Sequence, residues 1–188
     1  LPVECHPWEP FIPTGAKILI MGTFPPGNHR WSMDFYYPNR TNDFWFVMGH
    51  IFLGDRYALY DRQAKKFDPD AIKRLMAEKH IALSDTARKV RRLKGNASDK
   101  FLEILEPVPL HDLLAQMPDC HSVATTGEKA AGVIASITGT SVPKMGDMVT
   151  APDCLEIWRM PSTSRAYPLA LEKKAEYYAA MFRHVGLL

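Results

Sequence analysis

The sequence predicts an α/β fold in which helices cover both faces of a short parallel sheet of four strands. Two observations carry this prediction: short apolar runs alternate with amphipathic helical segments, and Gly- or Pro-containing turns follow the apolar runs. Parallel strands need long crossovers, and helical crossovers bury both faces of the sheet. With 188 residues, of which 46% are hydrophobic and 23% charged, the chain can build one such domain, which we place over residues 1–188.

The first half of the chain predicts two strands and two helices. Residues 17–21 form an apolar run that ends in a Gly/Pro loop, which is typical of a buried strand. Thr41 is the predicted N-cap of the first helix. An Asp-Pro pair begins the second helix, residues 68–79, because Asp caps free N–H groups and Pro fits the first turn. Residues 80–84 are the second predicted strand.

The second half predicts two more strands, separated by helices. The basic and then polar segment 86–100 indicates a helical turn followed by an exposed loop. Gly186 suits the C-terminal end of the last helix. The other predicted elements are a short helix at 110–117, the third strand at 121–127, a helix at 128–137, the fourth strand at 154–160 and a long amphipathic helix at 170–185.

Charge and cysteine content restrict the class of protein. Lys and Arg number 23 against 21 Asp and Glu, so the net charge of +2 allows a nucleic-acid partner without demanding one. Three scattered cysteines and seven histidines without metal-ligand spacing argue against a zinc site or a disulfide framework. No apolar run approaches the roughly 20 residues that cross a membrane. We therefore expect a cytoplasmic protein without a metal site or membrane contact, and we also expect it to be a monomer.

Two loops follow the first and fourth strands, at the edge where ligands of parallel sheets bind. The first, GTFPPG at residues 22–27, offers backbone N–H groups to an anion or a base, but it also suits a simple tight turn. It has neither the Lys-Ser/Thr pair of a phosphate-binding P-loop nor a dinucleotide fingerprint. The second, PSTS at residues 161–164, suits contacts to phosphate. Its alternative is an ordinary strand-to-helix turn.

The segment FYYPNRTNDFW, residues 35–45, places five aromatic residues around two asparagines. Phe44 and Trp45 are expected in the core. Tyr36 and Tyr37 precede a proline in an irregular stretch, where an aromatic face can be presented to a planar ligand. Farther along lies the densest basic cluster, for which a solvated face is the ordinary interpretation. This cluster comprises Arg88, Lys89, Arg91, Arg92 and Lys94.

Taken together, the segments GTFPP, FYYPNRTNDFW, HIALSDTAR, VATTGEKA and MPSTS resemble the uracil-DNA glycosylase superfamily. More narrowly, the chain is similar to the hypoxanthine (deoxyinosine) DNA glycosylase branch. The segments occur in the family's order and span about residues 17–165. The resemblance implies a three-layer α/β/α domain and removal of a damaged base from DNA without a cofactor. The chain departs from the branch at Pro38-Asn39-Arg40, where Gly-His-Pro is usual, and at Arg165, where Pro is common.

The resemblance also implies roles for single residues. Phe24 stands where many members carry a catalytic Asp or Asn, and the branch instead places a catalytic Asn at the position of Asn42. Tyr37 matches the aromatic residue that stacks on the extruded base. Asp85 lies where relatives use an Asn to read the base edge. Met160 occupies the place of a catalytic His or Asn in other branches.

Further contacts are expected from the two loops. The turn of Gly22, Thr23 and Phe24 would bind the base, with Phe24 closing one side of the pocket. DNA phosphates would be held by the PSTS loop, by Arg40 and by the basic cluster, with acidic residues clustering elsewhere. The expected phosphate-binding residues of the loop are Ser162, Thr163, Ser164 and Arg165.

The activity expected from the resemblance is that of a monofunctional DNA glycosylase. Such an enzyme extrudes a deaminated base, hypoxanthine or uracil, and hydrolyses its N-glycosidic bond in base excision repair. Two alternatives stay open, because a fold does not fix a function. One is a non-catalytic module that binds DNA or a modified base, and the other is a nucleotide or phosphate-ester hydrolase that requires a divalent metal.

Overall fold

Strands and helices alternate along the chain in a computed structural model that describes residues 1–94 and 98–188. Among the described residues, no helix is both long and apolar enough to cross a membrane. The strands are β1 (Val3–Cys5), β2 (Ile18–Gly22), β3 (Tyr60–Asp61), β4 (Lys66–Phe67), β5 (Ile81–Asp85), β6 (Ala87–Arg92), β7 (Leu102–Pro107), β8 (Ser122–Thr126), β9 (Met148–Thr150) and β10 (Glu156–Met160). The α-helices are α1 (Phe44–Leu53), α2 (Pro69–Glu78), α3 (Leu110–Ala115), α4 (Glu128–Thr138) and α5 (Leu171–Val185).

The central sheet has five strands in the order β5-β2-β8-β10-β9. The first four run parallel, which confirms the predicted parallel sheet, and β9 adds an antiparallel edge strand that the sequence did not reveal. In this register Gly22 lies opposite Asp85, and Met160 lies opposite Thr126. The carboxyl ends of the four parallel strands therefore bring these residues to one edge of the sheet.

Helices cover both faces of this sheet, as predicted. Side chains of a parallel strand alternate between its faces, so Ile18 and Ile20 pack toward α1, α2 and α5, whereas Leu19 and Met21 pack toward α3 and α4. The face against α1 is rich in aromatic residues, including the fully buried Trp45. The result is the expected three-layer arrangement of helix, sheet and helix.

A second, antiparallel sheet has the order β1-β6-β7. The predicted helical turn after residue 86 is therefore wrong. The predicted exposed loop that follows it runs to residue 100 and includes residues 95–97, which lie outside the described residues; Ser98 and Lys100 are exposed. Ala87 and Val90 are both buried against Leu102, although residues three apart lie on opposite faces of a regular strand. The pairing of β6 with β7 contains register shifts near Lys89, which break the period-two pattern that would have indicated a strand.

The helix ends follow local chemistry. Asp68 accepts a hydrogen bond from the backbone N–H of Ala71 at 3.1 Å, which confirms the predicted cap of α2. Gly186 follows α5 with a left-handed φ of 85°, which a glycine adopts without strain. The prediction for α1 is wrong by two residues, because Asp43 rather than Thr41 occupies the N-cap position.

Candidate active site

A cavity of about 1070 Å³ opens at the carboxyl ends of the parallel strands. The last residues of β2, β5, β8 and β10 line its floor. Its walls come from the loops after β2 and β10 and from the aromatic segment before α1. The cavity brings together every residue predicted for the site, namely Gly22, Thr23, Phe24, Tyr37, Asn42, Asp85, Ser162, Thr163, Ser164 and Arg165.

Gly22 lies where three polar side chains converge. A Cβ atom built on Gly22 would lie 3.1 Å from Asp85 Oδ1, 3.2 Å from Thr126 Oγ1 and 3.3 Å from the Tyr37 hydroxyl. The Tyr37 hydroxyl and Thr126 Oγ1 are themselves 3.2 Å apart, within hydrogen-bond distance. We call these four residues the polar end of the cavity. Any larger side chain at Gly22 would crowd it.

Tyr37 is held in a well-defined position. Its φ of 54° is left-handed, an uncommon conformation for a residue with a side chain. Its ring stacks on Phe44 at 3.9 Å between centroids and 14° between planes. Burial, and then the Asp85 carboxylate, raise the pKa of its phenol well above the ordinary value, so the hydroxyl stays protonated. Since Phe44 covers one face, only the opposite face of the Tyr37 ring is left for a planar ligand.

Asn42 lies where two loops pair. Its backbone forms an antiparallel bridge with Ser164, and the Asp43 N–H donates to the Thr163 carbonyl at 2.7 Å. The side-chain Oδ1 of Asn42 accepts from the Phe44 N–H at 2.9 Å, at the start of α1. Nowhere in the described residues does Asn42 Nδ2 have a protein acceptor. Asn42 thus supports the helix through its oxygen and keeps its amide N–H donors for a ligand.

A buried lysine contacts both of the loops that pair at Asn42. Lys174 in α5 is 0% exposed, and its Nζ lies 3.1 Å from Asp43 Oδ2 and 2.9 Å from the Ser164 carbonyl. Arg165 contacts the other carboxylate oxygen of Asp43 at 3.1 Å. Neither Lys174 nor Asp43 was predicted from the sequence as part of the site. The available signal was a lysine on the same helix face as the buried Tyr178, since residues four apart share a face.

The residues of the PSTS loop differ in exposure. Thr163 lines the cavity but is only 2% exposed, so little of its side chain is accessible to a phosphate. Ser162 and Ser164 are half-buried and line the cavity. Their Oγ atoms accept backbone N–H groups of Ser164 and Ala166, at 3.2 and 3.3 Å, which leaves the hydroxyl hydrogens for an anion. Arg165 forms an ion pair with Asp43, so only part of its guanidinium group is available to a phosphate.

Asp85 is hydrogen-bonded to a histidine that the sequence analysis did not identify. His6 Nε2 lies 2.7 Å from Asp85 Oδ2, and His6 Nδ1 lies 2.9 Å from the carbonyl oxygen and 3.1 Å from the backbone nitrogen of Trp8. The His6 side chain is fully buried and packs edge-on against Phe24 at 5.3 Å. No local pattern could have found this pair, because its members lie far apart in the chain.

A second carboxylate, Asp99, also lines the cavity. Burial raises the pKa of Asp99, and the Asp85 carboxylate raises it further, while Lys129 and Arg92 act in the opposite direction. The sequence analysis missed it because it assigned this polar segment to an exposed loop. Among the described residues, no group of three or more His, Cys, Asp or Glu side chains could hold a metal ion.

Three cations of the basic cluster form ion pairs within the protein, so β6 offers fewer unpaired charges to phosphate than its sequence suggests. Its cations pair with carboxylates of neighbouring strands: Lys89 with Glu106 at 3.2 Å and Arg91 with Glu103 at 3.3 Å. Arg92 likewise lies 2.7 Å from a carboxylate oxygen on β1. Some acidic residues therefore lie among these cations, whereas the sequence analysis expected the acidic residues to cluster elsewhere.

An unpredicted basic cleft of about 400 Å³ lies beside the cavity and shares Arg30, Asn39 and Thr41 with it. Four exposed cations line the cleft, and none forms an ion pair with another described residue. Trp31 also lines it. We call it the side cleft, and its cations are Arg30, Arg40, Lys65 and Lys66.

The similarity of this chain to known proteins is found at the level of structure. No protein-family model matches the chain, and no curated protein matches its sequence. Among solved structures, the chain is similar to the NMR structure of a candidate uracil DNA glycosylase from Methanosarcina acetivorans. The match has a TM-score of 0.66 and 20% identity, and it covers 97% of this chain and 98% of the other. The chain therefore has the α/β fold of that glycosylase candidate.

Proposed function

We propose that the protein is a monofunctional DNA glycosylase that removes a deaminated base, hypoxanthine or uracil, in base excision repair. The observation that carries the proposal is the cavity itself. It joins an aromatic face, a polar end and a free amide at the carboxyl edge of a parallel sheet, where ligands of this fold class bind. The similar fold of a glycosylase candidate supports the same substrate, DNA.

In this proposal the base leaves the duplex and enters the cavity. Unstacking costs a few kcal/mol, and less at a mismatch, which favours damaged bases. The open face of Tyr37 returns stacking energy of about 1–3 kcal/mol per base. Phe24 closes the other side. Backbone N–H groups of the turn at Gly22 and Thr23 donate to the base carbonyl and stabilise the charge that develops on the departing base.

Asn42 acts at the sugar. Breaking the N-glycosidic bond leaves an oxocarbenium-like sugar that water must attack. An amide cannot remove a proton, but the Nδ2 donors of Asn42 can hold the water or the base in place. Such positioning lowers the barrier by removing the entropic cost of bringing the reactants together. The hydroxyls of Ser162 and Ser164 hold the flanking phosphates.

A panel of oligonucleotides tests the proposal. Each carries uracil, hypoxanthine, xanthine or only normal bases, in single or double strands, and alkali cleaves the abasic product. Cleavage with at least one deaminated base, and none with normal DNA, is the expected result. Tight binding without base release would identify a non-catalytic binding module. Turnover of nucleotides that stops with a chelator would identify a metal-dependent hydrolase.

Two substitutions of Tyr37 distinguish the contribution of its aromatic ring to base release from that of its hydroxyl group. Tyr37→Phe keeps the stack on Phe44 and loses one hydrogen bond, so we expect near-normal base release and a stability loss of about 1 kcal/mol. Tyr37→Leu removes the aromatic platform and should slow single-turnover release by about 10-fold or more, from the stacking energy. Thermal unfolding of both variants provides the control. Equal rates in the two variants would remove the stacking role.

Salt dependence tests the side cleft. Each phosphate neutralised by a cation steepens the fall of log affinity with log salt by roughly 0.7–0.9. Lys65→Ala and Lys66→Ala should each reduce that slope by about that amount, because these cations have no carboxylate partner among the described residues. Lys89→Ala is the matched control, since Lys89 is paired with Glu106. A larger slope change for Lys89 than for Lys65 would contradict this placement of the DNA.

A further inference from the structure

The side cleft carries positive charge that no neighbouring carboxylate balances. Its cations are exposed and form no ion pair within residues 1–94 and 98–188. In the described part of the chain, no Asp or Glu lines the cleft. Several like charges around a concave surface raise the local concentration of oppositely charged ligands. The cleft therefore suits an anionic ligand.

An aromatic ring also lines the cleft. Trp31 is half-buried, and its ring nitrogen Nε1 donates to the Pro26 carbonyl at 2.8 Å. The ring of Trp8 packs against it at 4.8 Å between ring centroids. Because these contacts already order the Trp31 ring, a planar ligand that stacks on it costs little side-chain entropy. A nucleotide combines the two groups that the cleft favours, an anionic phosphate and an aromatic base.

The walls of the cleft are joined to the proposed catalytic cavity. The Ser32 N–H donates to the Pro38 carbonyl at 2.8 Å, which connects the two segments on either side of the aromatic residues. Arg165 of the PSTS loop donates to the Arg40 carbonyl at 3.1 Å. The cleft and the cavity share three lining residues, Arg30, Asn39 and Thr41. A DNA strand with one nucleotide in the cavity can therefore continue into the cleft.

The volume of the cleft restricts the form of that strand. About 400 Å³ lies near the lower end of the range for small-molecule pockets, so the cleft suits one nucleotide and not a double helix. Stacking on Trp31 also needs a base whose face is free. In a duplex both faces of a base are covered by its neighbours, whereas an unpaired base can turn toward an aromatic side chain. The cleft therefore favours an unpaired nucleotide.

Building on the proposed glycosylase function, we propose that the side cleft is a second nucleotide subsite, which binds the unpaired neighbour of the extruded nucleotide on the same strand. The base of this neighbour stacks on Trp31. Its phosphates contact Arg40, Lys65 and Lys66. Arg30 borders both nucleotides, because it lines both the cavity and the cleft. A duplex must unpair the neighbour before it fills this subsite, so single-stranded DNA is the preferred form of the substrate.

Binding of Trp31 variants to single strands tests this subsite. The target nucleotide of each oligonucleotide carries fluorine at C2′, which destabilises the oxocarbenium-like sugar and prevents base release. Trp31→Leu should weaken binding by about 10-fold, because base stacking is lost. Trp31→Phe keeps a ring and should bind almost normally, while DNA quenches less of the protein's fluorescence. Tyr57→Leu is the matched control, since Tyr57 is an exposed aromatic residue that lines neither the cavity nor the cleft.

Removing single bases from the oligonucleotide shows whether Trp31 contacts the neighbour. An abasic analogue beside the target, on either the 5′ or the 3′ side, should abolish the effect of Trp31→Leu, as expected when the two partners of one contact are removed in turn. The matched duplex should bind less tightly than the single strand, and Trp31→Leu should reduce that difference. A free nucleoside monophosphate should compete only weakly.

The subsite and the proposed function fail in different ways. Unchanged binding by Trp31→Leu, or equal weakening with and without each neighbouring base, would overturn the subsite alone. Competition by a free nucleoside monophosphate at the same concentration as the oligonucleotide would also overturn it, because the cleft would then bind mononucleotides. Absence of base release from every cleavable oligonucleotide, with the dependence on Trp31 and the neighbouring base intact, would overturn the glycosylase activity and support the subsite in a binding module.

Discussion

Asn42→Ala should lower the single-turnover rate of base release by about 100-fold or more, which corresponds to roughly 2.7 kcal/mol of barrier. The reason is that Asn42 lines the cavity with its Oδ1 bound to the start of α1, and its Nδ2 donors have no acceptor among the described residues. Affinity for DNA should change little, since the phosphate contacts lie elsewhere. Rates at saturating enzyme and equilibrium binding to an uncleaved oligonucleotide measure the two effects separately.

The alternative role of Asn42 is that of a helix support, worth about 1 kcal/mol of stability. Asn42→Asp distinguishes the two, because a carboxylate still accepts from the Phe44 N–H and favours a helix N-terminus, but it has no N–H to donate. A positioning role predicts slow release in both variants. Near-normal rates in both, with earlier melting of Asn42→Ala only, would leave just the structural role. Asp68→Ala, which removes a cap remote from the cavity, shows what a lost cap alone does.

Lys174→Met should be the most destabilising single change near the site, by about 3 kcal/mol, because it leaves the buried Asp43 carboxylate without its buried partner. For a chain of this size that corresponds to a melting point about 6–12 °C lower. Arg165 still contacts Asp43, which keeps the loss at the lower end of the range for a broken buried pair. Base release should also slow, since Lys174 holds the Ser164 carbonyl and so the loop paired with Asn42.

The neighbouring Lys173 gives a matched control. Its side chain is exposed and pairs with Glu176 within the same helix, so Lys173→Met should change stability by less than about 0.5 kcal/mol. The double variant Asp43→Asn with Lys174→Met should be more stable than Lys174→Met alone, because no buried charge is left over. Equal melting points for Lys173→Met and Lys174→Met would show that the buried pair contributes nothing.

Much of the central fold could be predicted because the local signals agreed with the final structure. The apolar runs that became β2, β5, β8 and β10 are short and end at turns, and the Asp-Pro pair marks α2 unambiguously. β6 could not be predicted, for two reasons. Its irregular pairing with β7 interrupts the alternation of buried and exposed residues, and its basic residues suggest a surface helix. β9 is too short to leave a signal.

Some residues of the candidate site could likewise be predicted from the sequence, and others could not. Residues next to the strand ends and in the aromatic segment were found, because loop position and residue type point to the cavity edge. His6 and Lys174 were missed because each reaches its partner across more than seventy residues of sequence. The low exposure of Thr163 was not predictable, because its sequence position between two serines does not distinguish it from them.

The first strand connects the start of the described chain to the cavity through His6 and Asp85. β1 pairs along β6 and carries the chain directly into His6, beneath Asp85. Cutting the chain after residue 6 would leave the five-stranded sheet intact but turn β6 into an open edge, which invites pairing with other chains. It would also remove the contact between His6 and the Asp85 carboxylate. Loss of residues 1–6 would therefore expose a strand edge and remove the hydrogen-bond partner of Asp85 together.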